Sequence, residues 1–504
     1  MTTERPRRSF ASARSFAATS MGVTAGLIGY LFLVEVTSGI LQGYYIPLIP
    51  DLVKNLGVVD ADFNWFEAGQ LLVSALVVPI IAKLGDMWGH RRMLLATTVL
   101  TAAASWWLVF ANDFVSFLLA WALQGFYAVW LPLEVALIFD RGRRTGRAAS
   151  QTRRAAGLLV VALEVGAIAG AVAGGRVFAA LGGAVAPTLM VPALAVTLVF
   201  FVVLFGVPES TPLPGRSLDV AGFSILTAGL LLITSGLTFL RINGPGTWWV
   251  WGLIAVGVLV FVPFVRYERR QSDPAIDMRV LSRPTMWPVQ LTAALIGISL
   301  LGAQVPLSTF AGTDPVNGYG LGLTASEISN LIGAYLVSMI LGALLFPLIS
   351  AWATPRAALI GGALLVGLGY LMFLPLHSTV PQVVTNMIIA GLGSGSLVGA
   401  LPSAAAAAAP RGQTGMAAAL TNTSKTVGGS FASAVFGVVL FAGASSVTAT
   451  ASSLIGYMQV WAICGVGALV AAALLLFVPR TAFGDTEVSD ERVSDVDPAV
   501  DQAR

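Results

Sequence analysis

Charged residues are scarce in this chain. They make up only 11% of its 504 residues, whereas 56% are hydrophobic and the mean hydropathy is +0.84. A soluble globular chain is typically about 25% charged. So few charges cannot give this much apolar sequence a water-facing exterior, but lipid tails can cover it. The composition therefore excludes an ordinary soluble protein and predicts one that is embedded in a bilayer.

Cysteine and histidine are nearly absent, because the chain holds only Cys464, His90 and His377. One cysteine excludes a disulfide within the chain, and this set cannot build a typical zinc centre. The net charge of +3 and the lack of an arginine stripe argue against nucleic-acid binding. The sequence contains no Walker-type phosphate loop, zincin helix or serine-hydrolase elbow. We therefore expect no cofactor, no metal and no enzymatic activity.

Long apolar runs fill the rest of the chain. Stretches of about 18 residues or more predict fourteen transmembrane helices. Their approximate bounds are 22–48, 64–84, 93–111, 115–139, 156–180, 185–207, 219–240, 248–265, 286–311, 326–350, 357–376, 381–402, 415–442 and 454–478.

The basic residues alternate between the two ends of these helices. If the N-terminus is cytoplasmic, the inside segments hold 24 of the 28 Lys and Arg residues, and the outside loops hold only Lys54 and Arg241. Positive charge accumulates on the cytoplasmic side of membrane proteins. We therefore expect a multi-pass protein of the inner or plasma membrane with both termini in the cytoplasm.

The spans are arranged as six, two and six. We expect a basic cytoplasmic leader at 1–20, a first six-helix half at 21–207, two extra helices with polar linkers at 208–284, and a second half at 285–478. The tail at 479–504 is acidic and is predicted to be a disordered cytoplasmic segment. An organelle transit peptide is the alternative interpretation of the arginines in the leader.

The loop after the second span combines an acid, a glycine and two arginines, at Leu84, Asp86, Gly89, Arg91 and Arg92. A positive-inside loop explains the arginines alone. The spacing, however, resembles the signature loop of the major facilitator superfamily. The resemblance implies that Asp86, Gly89 and Arg91 form a conformational latch on the cytoplasmic side.

Two further segments are similar to motifs of this superfamily. The fifth span carries Gly166, Gly170, Gly174 and Gly175, which are similar to its antiporter motif, with Ala171 in place of the usual proline. Glycines four residues apart also allow close helix packing. In the fourth span, Gln124 and Gly125 match a motif whose arginine, associated in relatives with proton coupling, is Trp121 here.

The middle pair of helices indicates which branch of the superfamily the chain resembles. Together with the segments 217–222 and 422–429, the six-two-six layout resembles the fourteen-helix drug:proton antiporter branch, over residues from about 20 to 478. The resemblance implies an all-α major-facilitator fold, with two six-helix halves and two additional central helices.

Ionisable residues within the spans are candidates for function, because charge in hydrocarbon is costly. Glu35 is nearly central in the first span, on one face with Ser38 and Gln42. Glu164 projects away from Gly166 and Gly170, and we expect it in a cavity or paired at an interface. Glu134 lies near the cytoplasmic end of its span, where a side chain can also reach the membrane surface. Lys425 either pairs with one of these acids or reaches the inner surface.

These features predict a secondary exporter that exchanges protons for small, amphipathic or aromatic compounds, with Glu35, Glu164 and Glu134 as coupling candidates. Aromatic and amide side chains suit a broad pocket, and the cavity candidates are Gln42, Tyr45, Gln124, Trp130, Gln304 and Asn422. The expected partners are a small molecule, protons and the bilayer, and we expect a monomer. Two alternatives stay open: a dedicated exporter of one metabolite or lipid without proton coupling, and a membrane sensor or enzyme that transports nothing.

Overall fold

The computed structural model describes residues 24–144, 148–212, 217–271, 273–409, 414–442 and 451–478. These residues are mostly helical, and no strand occurs among them. Fourteen helices in this described part of the chain are long and apolar enough to cross a membrane, so the all-α fold and the predicted number of spans are confirmed. The leader 1–20 and the tail 479–504 lie outside the described residues.

We number these spans α1 to α14 in chain order. Their bounds are Ala25–Leu56, Asp60–Trp88, His90–Phe110, Phe114–Gly142, Ala155–Ala180, Val185–Gly206, Val220–Asn243, Trp248–Glu268, Trp287–Gly312, Ala325–Trp352, Pro355–Met372, Val380–Ala408, Leu420–Phe441 and Leu454–Leu475.

Three spans are not continuous α-helices. α1 is interrupted by a 3₁₀ turn at Ile46–Leu48 and then continues as an α-helix. Two prolines, at positions 47 and 50, lie in this region. A proline lacks the N–H that continues a helix, which accounts for the break. α4 contains a 3₁₀ segment at Gly125–Val129, and α9 contains a π-helical segment at Ile298–Gly302. Such irregular turns often mark functional positions in helices.

The spans pack as two halves and a separate pair. In the first half α1 packs along α5, and in the second half α9 packs along α13, which is the equivalent pairing. The halves meet along two seams, α2 against α13 and α5 against α10. The extra helices α7 and α8 pack against each other, and α7 also contacts α13 and α2. The extra pair therefore lies outside the bundle, beside one of its two seams.

The two ends of the bundle differ in how tightly the halves meet. We call the end where odd-numbered spans begin the basic face, and the other end the opposite face. Hydrogen bonds between the halves lie toward the opposite face in the part of the chain that the structure describes. They join Ser308 Oγ to Ile46 O (2.5 Å), Gly175 N to Ser329 Oγ (3.1 Å), Ser326 Oγ to Gly175 O (3.1 Å), Arg176 Nη2 to Asn330 Oδ1 (2.8 Å) and Ser430 Oγ to Ala68 O (2.9 Å).

The face of α13 that packs on α2 is open toward the basic face. Gly429 and Ser430 of this helix contact Leu71 and Ala68 of α2. Two turns closer to the basic face, on the same side of the helix, Asn422 is exposed. The halves are therefore closed against each other at the opposite face and part toward the basic face.

Candidate functional site

Two carboxyl groups are buried in the core of the first half, within electrostatic range of each other. Glu35 of α1 and Glu134 of α4 are each 0% exposed, and the carboxyl of Glu134 is within electrostatic range of Glu35. None of their four carboxyl oxygens has a hydrogen-bond partner in the described part of the chain. Glu134 is thus buried in the bundle and does not reach the membrane surface. A buried polar group without a partner is costly, so this pair calls for a functional explanation.

Two of the sequence-predicted cavity residues, Gln124 and Tyr45, are hydrogen-bonded to each other. Gln124 Nε2 donates to Tyr45 Oη (2.9 Å) and to Ser105 Oγ (3.0 Å), while its own Oε1 has no partner among the described residues. The Tyr45 ring meets Trp121 edge to face, with centroids 5.1 Å apart. α1 and α4 therefore join through a polar cluster with an aromatic wall on one side.

Trp121, where relatives carry arginine, belongs to this aromatic wall. Its indole also packs on Phe63 (5.1 Å) and stacks on Phe117 (5.5 Å). The indole thus fills the position with apolar surface and brings no positive charge to it.

Sequence reasoning missed Glu67, an acid of α2. Phe63 on α2 touches Trp121, and Ser74 Oγ donates to the Gly125 carbonyl of α4 (2.9 Å). Glu67 lies between these contacts on the same helical face, so it points at α4; it is 9% exposed. The sequence placed the start of the second span at residue 64, and Glu67 therefore looked terminal. The helix starts at Asp60, which puts this carboxylate two turns inside.

A charge pair faces across the two halves. Glu164 of α5 and Lys425 of α13 are within electrostatic range of each other. The sequence allowed Glu164 either a cavity or a paired interface, and the structure gives it a cation from the other half. When both groups are charged, a carboxylate and an ammonium at these positions attract each other across the two halves.

The remaining cavity candidates are spread over the two halves. Trp130 is fully buried on α4, one turn from Glu134, and Gln42 of α1 is half-buried. In the second half, Gln304 turns its amide to the Leu300 carbonyl of its own span (3.0 Å), and Asn422 is exposed. Tyr45 and Gln124 are therefore the two candidates that the structure joins directly.

The loop after α2 is bound to the end of α6. Asp86 Oδ1 lies 3.3 Å from His90 Nε2. The guanidinium of Arg91 donates to the Leu204 carbonyl (2.6 Å), and its backbone N–H donates to Glu209 Oε1 (3.0 Å). His90 and Glu209, which sequence reasoning did not single out, thus belong to the same cluster as the predicted latch residues.

Glycine is required at the turn of this loop. Gly89 has a φ of +108°, which side-chain-bearing residues rarely adopt. A Cβ at this position would also lie 2.5 Å from Glu209 Oε1. The backbone geometry therefore favours glycine at this position, and a larger residue would also displace the Glu209 carboxylate.

The glycines of α5 serve two interfaces. A Cβ on Gly166 would lie 2.1 Å from the Val36 carbonyl of α1, and one on Gly174 would lie 2.2 Å from the Tyr44 carbonyl; Gly170 approaches α1 at Ile40. Gly175 instead faces the other half, where the Ala325 carbonyl would be 2.1 Å from its Cβ. Three glycines therefore seat α5 on α1, and the fourth allows contact across the seam.

Metal ligands are not clustered in the described residues, where no group of three or more His, Cys, Asp or Glu side chains could hold an ion. The polar groups described above are carboxyl groups, one ammonium group, amides and aromatic rings. Such groups can bind protons and small organic molecules.

Comparison with known proteins identifies the family. The family model of the Major Facilitator Superfamily matches residues 31–433, which is most of the chain. The chain belongs to the major facilitator superfamily.

Proteins that resemble the chain include transporters of organic compounds. It is 23% identical to the multidrug transporter protein MdtP of Bacillus subtilis, over 78% of this chain and 71% of that one. It is 27% identical to a probable actinorhodin transporter of Streptomyces coelicolor, over 81% and 70%. Among solved structures, the peptide transporter POT in complex with sulfate superposes with a TM-score of 0.64 at 16% identity, over 94% of this chain and 99% of that one. The fold and family predicted from the sequence are thus confirmed, and the chain is a multi-pass membrane protein of a transporter family.

Proposed function

We propose that this chain is a secondary exporter that exchanges protons for small amphipathic or aromatic compounds by alternating access. The observation that carries the proposal is the buried pair Glu35 and Glu134, which has no partner within hydrogen-bonding distance in the described chain. Two such carboxyl groups are far more stable when at least one holds a proton. They can release it when water or a cationic group reaches them, which is what a change of access provides.

We infer outward transport from the resemblance to drug:proton antiporters, and the open end of the bundle is the side from which cargo would enter. The halves part toward the basic face, and we infer that this face is cytoplasmic from the distribution of Lys and Arg. A compound entering there would meet α13 around Asn422, which is exposed on that side. The multidrug and actinorhodin transporters described above support organic compounds as the cargo.

The free energy released by one proton sets the largest concentration gradient that the transport cycle can maintain. A charge that crosses about 100 mV releases about 2.3 kcal/mol. At about 1.4 kcal/mol per tenfold ratio, one proton per molecule sustains a gradient of about fifty-fold. This is enough to lower the cytoplasmic concentration of a toxic compound without ATP.

A second candidate function is a dedicated exporter of one metabolite or lipid that is not coupled to protons. It is favoured by two departures from the family pattern, Trp121 for arginine and Ala171 for proline. The buried acid pair favours the coupled exporter instead.

A susceptibility panel in a host that lacks its own pumps separates these functions. Expression of the chain should raise the tolerated concentration of several unrelated amphipathic compounds at least about four-fold, with Glu35→Gln as the matched inactive control. Protection against a single compound would favour the dedicated exporter. Protection against none, with the protein present in the membrane, would contradict the proposed export function.

A further inference from the structure

The extra helix α7 covers the seam at which α2 of the first half meets α13 of the second. Leu226 and Leu230 of α7 belong to one apolar cluster with Leu72 of α2. Nearer the opposite face, Leu237 of α7 packs against a cluster that contains Trp65 of α2 and Ala434 of α13. α7 therefore contacts both halves along the line where they must separate if the opposite face is to open.

One cation of α7 spans this seam. Arg241 forms an ion pair through Nη2 with Asp62 Oδ1 of α2, and its Cζ lies 4.7 Å from the centroid of the Phe441 ring of α13. The side chains of Arg241 and Asp62 are only 17% and 11% exposed, so water screens the pair weakly. A guanidinium over an aromatic face is attracted to it as well.

The extra pair is also fixed at the other end of α2. Lys83 Nζ lies 3.3 Å from Asp273 Oδ1 and donates to the Asp273 carbonyl at 2.7 Å, in the linker that follows α8. The pair is thus held to α2 near both faces by charged contacts. Its contacts with α13, at Ala434 and Phe441, are apolar or cation–π contacts.

From this arrangement we propose that α7 and α8 move with the first half and that Arg241 clamps α13 against it, holding the opposite face closed. The ion pair to Asp62 fixes the direction of the guanidinium, and the ring of Phe441 rests on it. Contacts that exist in one conformation alone shift the population toward that conformation. Arg241 is in this sense a positioning residue for alternating access. The inference rests on the alternating access proposed above, but not on the substrate or on protons.

The test is the reactivity of a single cysteine at the seam. Ala434 is 1% exposed, and the native Cys464 is fully buried, so Ala434→Cys reports opening of the opposite face in a Cys464→Ser background. The full-length protein in nanodiscs is labelled with a hydrophilic maleimide, with the denatured protein as the reference for complete reaction. Arg241→Gln should raise the labelling rate about five-fold, the change that about 1 kcal/mol produces.

One further variant is the matched control, and another tests the ion pair itself. Lys54→Gln removes the other cation of the outer loops, which is exposed, and should leave the labelling rate unchanged. Asp62→Asn keeps an oxygen for the cap on the Val59 N–H but loses the charge. Asp62→Asn and its double variant with Arg241→Gln should each match Arg241→Gln, because the two residues act as one unit.

The proposal is overturned if Arg241→Gln labels at the parent rate, if Lys54→Gln accelerates labelling as much, or if the seam cysteine stays unreactive in every folded variant. If Arg241→Gln fails to fold, the labelling rate of Asp62→Asn is compared with the parent rate instead, and an unchanged rate overturns the proposal. Because labelling needs no substrate and no pH gradient, a failure here is distinct from a failure of the export function.

Discussion

Single carboxyl groups carry the chemistry proposed for this protein. The sequence could nominate Glu35 and Glu134, because an acid inside an apolar run is visible without a structure. It could not pair them, since α1 and α4 are far apart in the chain and only packing brings their side chains together. It missed Glu67 for a different reason: span boundaries drawn from hydropathy alone are uncertain by about a helical turn, and here the boundary decides whether an acid is terminal or buried.

The first prediction concerns these acids. Glu35→Gln should abolish accumulation driven by a pH gradient yet retain substrate binding, because the amide mimics the protonated carboxyl. Binding is measured by tryptophan fluorescence quenching in detergent, and accumulation is measured in proteoliposomes.

Glu164→Gln is the matched control, because this acid has Lys425 within electrostatic range and should affect coupling less. If Glu164→Gln abolishes accumulation and Glu35→Gln does not, the coupling carboxylate has been assigned to the wrong span.

At the scale of the element, the sequence indicates a helix interface when its residues repeat within one helix, and it does not when the contacting groups are distant in sequence. The glycines of α5 repeat within one helix, so the sequence indicated close packing of that face. The structure adds that Gly166, Gly170 and Gly174 seat on α1, whereas Gly175 faces α10. Likewise, the residues of the loop after α2 were visible as a motif, but the Leu204 carbonyl that Arg91 binds is a backbone group with no sequence signal. In the sequence, Arg241 stood out only as one of the two basic residues in the predicted outside loops.

The packing of α1 on α5 gives the second prediction. Gly166→Ala places a methyl group 2.1 Å from the Val36 carbonyl and forces the helices apart, which should cost roughly 1–3 kcal/mol of stability. Gly157→Ala, in the same helix, meets no atom within 4 Å and should be neutral or slightly stabilising. Thermal unfolding of the purified proteins measures both. Equal melting temperatures for the two variants would show that the close approach at Gly166 does not matter.

The loop after α2 gives the third prediction. If Asp86, together with His90 and Arg91, latches the basic face during the cycle, Asp86→Asn should reduce transport at least about five-fold while expression stays normal. Asp314→Asn, in an exposed loop at the opposite face, is the matched control and should transport normally. Normal transport by Asp86→Asn would leave the loop with a topological role alone.

For the molecule as a whole, the fold and family were accessible from the sequence because they depend on patterns that extend over the entire chain. The conformation was not accessible, since it depends on where two halves that are distant in sequence touch. The contacts at Ser308, Gly175 and Ser430 place the closed end at the opposite face. A transporter closed there is ready to take up its cargo from the basic face.

The orientation of the molecule is the fourth prediction. If the basic face is cytoplasmic, an impermeant maleimide added to intact cells should label Val316→Cys, which is 91% exposed at the opposite face. It should not label Ala353→Cys, which is exposed at the basic face, until the membrane is made permeable. The reverse pattern would invert the direction of transport proposed here.

The central claim, that this chain couples the outward movement of a small molecule to protons, is tested most directly by flux in proteoliposomes. A compound against which the chain protects cells is offered to vesicles with an acidic interior, once with the pH gradient intact and once after an uncoupler has collapsed it. The account predicts accumulation several-fold above equilibrium that the uncoupler and Glu35→Gln both abolish. Equal uptake with and without the gradient would contradict it.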